Sequence, residues 1–232
     1  MTDTPMPAWW TENAPAWIDI VRSQKVPSRR LGTDAAILNA AKALQPKSVL
    51  DMGCGEGWLC RALADDPARQ RIGIDVSAPL IEAAQTADPA GRYCVAPFAG
   101  LLGADSPVAP ASVDLVLMNF VLLEEDAETA LKAAKRLRAP GGSILIQMPH
   151  PCFTAGPEGY QDGPRLERFA AFEATDPSQG SPAPALTPMT WRFRSLNSWA
   201  ALFARCGLRL TRLEDVAHPE GGAPLSALFH LT

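Results

Sequence analysis

No stretch of this sequence is apolar for long enough to span a membrane, and no basic segment leading into an apolar run opens it. A soluble, cytoplasmic protein without a membrane partner is expected. An excess of cations is also missing. The 21 Lys and Arg residues stand against 25 Asp and Glu, a formal net charge of −4. Such a field opposes polyanions, so nucleic acid is a disfavoured partner. Cysteine is sparse: Cys54, Cys60, Cys94, Cys152 and Cys206 are odd in number and scattered. No C-x-x-C pair and no Cys/His cluster at zinc spacing occurs, which argues against a disulfide framework and implies no metal. These thiols read as reduced and mostly buried.

With 232 residues, 47% hydrophobic and 20% charged, the chain can bury one sizeable α/β core with insertions. Its organising stretch is residues 49–63, Val-Leu-Asp-Met-Gly-Cys-Gly-Glu-Gly-Trp-Leu-Cys-Arg-Ala-Leu. This reads as a buried strand, a glycine turn and a helix. Glycines at 53, 55 and 57 let the backbone turn and let a ligand approach the main chain, with free N–H groups expected to point outward. A nicotinamide fold requires a small third residue in G-x-G-x-x-G, and that position is Trp58.

Further strands are expected at residues 71–75, 92–95, 113–118, 143–148, 208–216 and 227–231, with helices between them. Asp75 ends the second strand, where an acid can accept from a ribose diol; its alternative role is an N-cap, for which Ser77 is better placed. Thr33 is expected to cap a helix over 34–44, and Ser195 one over 196–206 ended by Gly207. The acids at 124–126 are expected to start a helix ending in Lys and Arg.

The pattern Asp51-x-Gly53-x-Gly55-x-Gly57 resembles the first motif of the class I S-adenosylmethionine-dependent methyltransferases, and Gly-Ile-Asp-Val-Ser at 73–77 resembles their second. The helix, the Pro140-Gly141-Gly142 break and the Ile-Leu-Ile strand also resemble that family. The resemblance implies a Rossmann-like, seven-stranded, mostly parallel sheet with helices on both faces and an antiparallel C-terminal edge hairpin. It implies S-adenosyl-L-methionine as cofactor, with Arg30, Asp51, Gly53, Cys54, Gly55, Trp58, Asp75, Val76, Leu80, Pro97, Phe98, Asn119, Phe120 and Val121 around it. Between the adjacent Arg29 and Arg30, Arg30 is preferred for the cofactor carboxylate without a decisive reason. Where many members carry an acid after the third strand, this chain has Ala96-Pro97-Phe98. The Asn/Asp-Pro-Pro-aromatic motif of base-amine methyltransferases lacks both prolines at Asn119-Phe120-Val121. A small-molecule methyl acceptor follows, methylated on O or N, with RNA or protein methylation and a non-catalytic binding module as alternatives.

The domain organisation expected is 1–32 as an N-terminal lid or strap, 33–150 as the binding core, 151–194 as a substrate lid and 195–232 completing the core. Within the first segment a helix is expected over 14–23, with Trp17, Ile18 and Val21 inward and Thr11 or Asn13 as cap. Residues 154–190, rich in Pro, Gly and Ser, read as a long loop serving as lid or binding element. Trp17, Tyr160 and Trp191 are the expected substrate walls, although the aromatics of the loop equally suit a minicore. His150, between two prolines past a central strand, is either the base that takes the substrate's proton or a hydrogen-bonded hinge.

Overall fold

The computed structural model describes residues 4–156, 159–169 and 186–232. Strands β1 (Ser48–Met52), β2 (Gln70–Asp75), β3 (Arg92–Val95), β4 (Val113–Asn119) and β5 (Arg138–Pro149) are parallel. A separate antiparallel pair, β6 (Gly163–Glu167) and β7 (Met189–Phe193), precedes β8 (Leu210–Val216) and β9 (Ser226–Leu231). The main sheet has the order β3-β2-β1-β4-β5-β9-β8, with β9 antiparallel to both neighbours. This is the expected Rossmann-like sheet with an antiparallel edge hairpin.

Alternation along the strands sorts the core into two layers. Val49, Leu115, Leu117, Leu145 and Leu228 pack on Ile37 and Ala41 of α3 (Asp34–Ala43) and on Leu59 of α4 (Trp58–Ala62). Leu50, Met52, Val116, Met118, Ile144, Ile146 and Phe229 face the other way, onto α6 (Ala127–Leu137) and α8 (Leu196–Arg205). A third cluster joins α5 (Ala78–Ala87) to Cys54, Cys60 and Tyr93. The caps follow local chemistry: Asp126 accepts from Thr129 N–H at α6, and Ser195 from Ser198 N–H at α8. Gly207 turns the chain out of α8 at φ +64.

Several expectations are corrected. Pro140-Gly141-Gly142 does not separate α6 from a strand beginning at 143; β5 starts at Arg138, paired with Val113, and absorbs the extra residues as a bulge before Leu115 meets Ser143. Thr33 makes no cap, because a wide helical turn over Arg29–Thr33, kinked at Gly32, feeds directly into α3. The first segment forms two helices, α1 (Met6–Glu12) and α2 (Ala14–Arg22), and Ile20 rather than Ile18 is fully buried. The long loop carries β6 and β7; its remaining stretches, 157–158 and 170–185, lie outside the described residues. Among the described residues no helix is long and apolar enough to cross a membrane.

The N-terminal helices are tied down at both ends. Arg22 Nε reaches Glu56 at 2.9 Å. Asn13 Nδ2 donates to Thr187 Oγ1 at 3.0 Å, and Asn13 Oδ1 accepts from Thr187 N–H at 3.1 Å. Trp9 Nε1 donates to Thr187 O at 3.1 Å. Asn13 therefore clamps rather than caps. Asn13→Ala should lower unfolding stability by about 1–3 kcal/mol, and expose α1 and α2 to limited proteolysis before the sheet is attacked. Unchanged cleavage would remove the clamp.

Candidate functional site

The turn after β1 is built by three glycines for three reasons. A Cβ on Gly53 (φ +78) would meet Val121 Cγ2 at 2.1 Å, so this glycine admits the β4 loop. A Cβ on Gly57 (φ +81) would meet Ala84 Cβ at 2.9 Å, so this one admits α5. Gly55 (φ +56) faces open space, with no atom within 4 Å of a Cβ, and lies on a cavity wall. Only at Gly55 would a side chain displace a ligand rather than the protein.

The turn's donors are already committed. Gly53 N–H and Cys54 N–H both reach Ile74 O, at 2.7 and 3.0 Å, and Gly57 N–H reaches Cys54 O at 3.0 Å. Gly55 N–H donates to Asp75 Oδ2 at 2.9 Å. The expected outward-pointing N–H groups are thus absent at these four positions. A pyrophosphate needs such donors. This turn suits a ligand that approaches closely without carrying phosphate.

Asp75 is 8% exposed, at the end of β2. Its Oδ1 accepts from Ser77 N–H at 2.9 Å, which leaves each oxygen a further lone pair. Burial raises its carboxyl above the usual range, opposed by the N–H groups of Ser77 and Gly55. Asp51 lies deeper, 2% exposed, and its Oδ1 has no partner. Burial, with the charge of Asp75 adding to it, pushes the Asp51 carboxyl to about 7. Asp51 does not line the cavity; it lies behind the turn.

The cavity, about 640 Å³, opens at the C-terminal ends of β1, β2 and β4, where parallel α/β sheets bind ligands. Gly53, Cys54, Gly55, Trp58, Asp75, Val76, Leu80, Pro97, Phe98, Asn119, Phe120 and Val121 all line it, as do Trp17 and Trp191. Phe120 has φ +55, an uncommon state for a bulky residue, and its N–H is held by Gln147 O at 2.8 Å.

Besides Asp51, three candidates lie elsewhere. Arg30 is turned away, its Nη1 on Gln24 O at 3.0 Å; Arg29 lines the cavity instead, 4.5 Å over the Trp58 ring with Nε on Asp34 at 2.9 Å. The wide turn before α3 sets which arginine faces inward, and the sequence has no signal for that choice. His150 is 3% exposed and does not line the cavity. Its Nδ1 accepts from Cys152 N–H at 3.1 Å as the cap of α7 (Pro151–Thr154), and Nε2 lies 3.2 Å from Asp215 Oδ1. The geometry is that of the hinge, not of a base. Tyr160 also misses the cavity: its hydroxyl accepts from Leu196 N–H at 3.2 Å and its ring packs on Phe193.

Sequence reasoning missed Glu56 on the cavity wall; Trp10 and Phe169, read as lid and loop aromatics, and Glu124, read first as a helix start and only second as a catalytic group, line it as well. Glu56 is 1% exposed between Arg22 and Arg61, the latter at 2.7 Å, and joins α2 to the glycine turn. An Arg22–Glu56 pair spans too much sequence to be read from spacing.

The raised Asp51 carboxyl makes stability depend on pH. Relative to 3.8 unfolded, a folded value of about 7 means that the native state holds the proton more tightly. Its contribution is complete below about pH 4 and is lost as pH rises through 7. Asp51→Asn should therefore gain stability relative to the parent between those values, by at most about 4 kcal/mol. Urea unfolding at pH 4.5 and 8 checks this; parallel curves would sink it.

Residues 49–142 match the family model described as a methyltransferase domain. An uncharacterized methyltransferase of Mycobacterium bovis is 35% identical over 120 residues, 48% of this chain and 55% of that protein. The malonyl-[acyl-carrier protein] O-methyltransferase of Pseudescherichia vulneris is 35% identical over 103 residues, 44% of this chain and 39% of its own. The chain thus spans about half, or less, of these curated relatives. Among solved structures, the 1,6-didemethyltoxoflavin-N1-methyltransferase of Burkholderia thailandensis, with its substrate and S-adenosylhomocysteine bound, superposes with a TM-score of 0.60. The match is 18% identical and covers 99% of this chain and 92% of that one. Residues 49–142 thus resemble the methyltransferase domain family, and the chain has the fold of S-adenosylmethionine-dependent methyltransferases.

Proposed function

We propose that this chain transfers the methyl group of S-adenosylmethionine to a small organic acceptor. The observation that carries the reading is the pairing of Gly55, open to the cavity, with the buried Asp75 carboxylate across the turn, under a roof of tryptophans. The residues fit the cofactor. Asp75 keeps lone pairs for two ribose hydroxyls. Val76, Leu80 and Phe98 offer apolar flanks for a purine, and the Ala96-Pro97-Phe98 segment offers main-chain rather than carboxylate recognition. Arg29, whose Nε is taken by Asp34, keeps its Nη groups for a carboxylate.

When bound, the cofactor supplies an electrophilic methyl group on a charged sulfur with a neutral thioether as leaving group. What remains for the chain is position. The end of β4, Asn119-Phe120-Val121, and the walls Trp17 and Trp191 confine an acceptor beside the glycine turn. Holding two reactants in line is worth up to about 7–11 kcal/mol in well-oriented model reactions. The aromatic roof, α1 and α2, narrows that space. A small acceptor is supported by this roofed cavity and by the acidic composition of the chain.

Isothermal titration with S-adenosylhomocysteine and, separately, NADH tests the ligand; the first should bind and the second should not. Asp75→Ala should weaken the nucleoside by about 1–3 kcal/mol, or roughly ten- to hundredfold. Unchanged affinity would take away its role. A metabolite extract incubated with labelled methyl donor then asks whether transfer occurs at all. Binding without transfer to any component would favour the sensing module.

A further inference from the structure

The two ends of the cavity differ in charge, and the difference bears on the acceptor. At the glycine-turn end Arg29 stands over Trp58. It is the one cation among the described lining residues. The other end is framed by β7 and the loop after β4. Arg192 N–H donates to Leu123 O at 2.7 Å, which sets Trp191 beside Glu124. Glu167 pairs with Met189 across β6 and β7 and holds Phe169 N–H at 2.8 Å. Glu124 and Glu167 both line this end, with aromatic walls from Trp191 and Phe169.

Arg192 and Arg194, on β7 and just after it, are spent outside the cavity. Arg192 pairs with Glu125 at 2.7 Å. Arg194, 8% exposed, donates to Leu122 O, Glu124 O and Glu125 O at 3.3, 2.5 and 2.6 Å, and its guanidinium lies 5.2 Å from the Trp199 ring. These bonds fasten the main chain of 122–125 and leave the Glu124 carboxylate without an ion pair among the described residues. A carboxylate acceptor entering this end would meet like charge with no counter-ion among the described lining residues. A cation would meet acids and π-faces together, the combination that recognises ammonium groups.

We propose that the acceptor is an amine on a flat apolar body, and that Glu124 receives its proton. The ammonium gives one proton to the Glu124 carboxylate, which frees the nitrogen lone pair. That pair forms the N–C bond to the methyl group as the C–S bond breaks and its electrons return to sulfur. The positive charge passes from sulfur to the methylated nitrogen, and the Glu124 proton leaves to solvent at the cavity mouth. Glu124 is exposed at the cavity mouth, where partial desolvation, with Asp126 adding to it, raises its carboxyl above its usual range, in the direction a proton acceptor needs.

This inference rests on the methyl-transfer reading, and a two-stage titration of the full chain separates the two. The chain is first titrated with S-adenosylhomocysteine, and the saturated complex is then titrated with 2-naphthylmethylamine or 2-naphthoate, the same ring with opposite charge. The amine should bind about tenfold or more tightly than the acid. Glu124→Gln should remove most of that preference and leave the S-adenosylhomocysteine affinity unchanged. Failure of S-adenosylhomocysteine to bind overturns the methyl-transfer reading itself. Normal S-adenosylhomocysteine binding with the acid equal or preferred, with neither probe bound, or with the preference intact in Glu124→Gln, overturns the amine alone.

Discussion

Two carboxylates buried where β1 and β2 end set the constraint on which the site depends. Asp75 takes the N–H of Gly55 on one oxygen and that of Ser77 on the other, so one side chain stitches the glycine turn to the start of α5. Asp51 lies beneath it without a partner on Oδ1. Like charges in a desolvated place are costly. A ligand that brings hydroxyl donors to Asp75 relieves part of that cost, so the site is destabilised in the direction of binding. The N–H groups of Gly53, Cys54, Gly55 and Gly57 are used up internally, which weakens the turn as a phosphate cradle.

Around this point the fold divides its labour. The central parallel strands β1 and β4, buried on both faces, hold the turn and the end of β4 rigidly. The pieces added to that sheet make the rest of the cavity: α1 and α2 at the front, β6 and β7 at the side. They are joined to the core by few but directional contacts. Arg22 to Glu56 fixes α2 to the turn, Asn13 to Thr187 fixes the front to the side, and Arg194 fixes the side to the loop after β4. Each is a polar contact at a partly buried place, where its loss leaves a partner unsatisfied. The end of the cavity that carries Glu124 is thus assembled from segments far apart in the chain, and its charge is decided by which of their side chains are consumed in the joints.

Much of this was legible beforehand, for a physical reason. Period-two alternation, helix caps at Asp126 and Ser195, and glycines at a turn that needs positive φ are local properties, and local properties are written in local sequence. The succession of strands and helices and the glycine-turn wall followed from them, while the mostly parallel sheet and its edge hairpin were what the methyltransferase resemblance implied. Reading failed where a bulge competed with a break, as at Pro140-Gly141-Gly142, and where a wide helical turn replaced a cap, as at Thr33. There two backbone solutions are close in energy locally, and packing selects one.

By itself the sequence determined the α/β class, the glycine turn and the acid opposite it, because strand periodicity, glycine stereochemistry and an ending carboxylate act over a few residues. Only the tertiary structure decided that Arg29 rather than Arg30 faces the cavity and that His150 turns instead to Cys152 and Asp215. It also brought Glu124 and Glu167 to one cavity. Those outcomes depend on which partner reaches a side chain first across long separations in sequence, and no spacing along the chain encodes that.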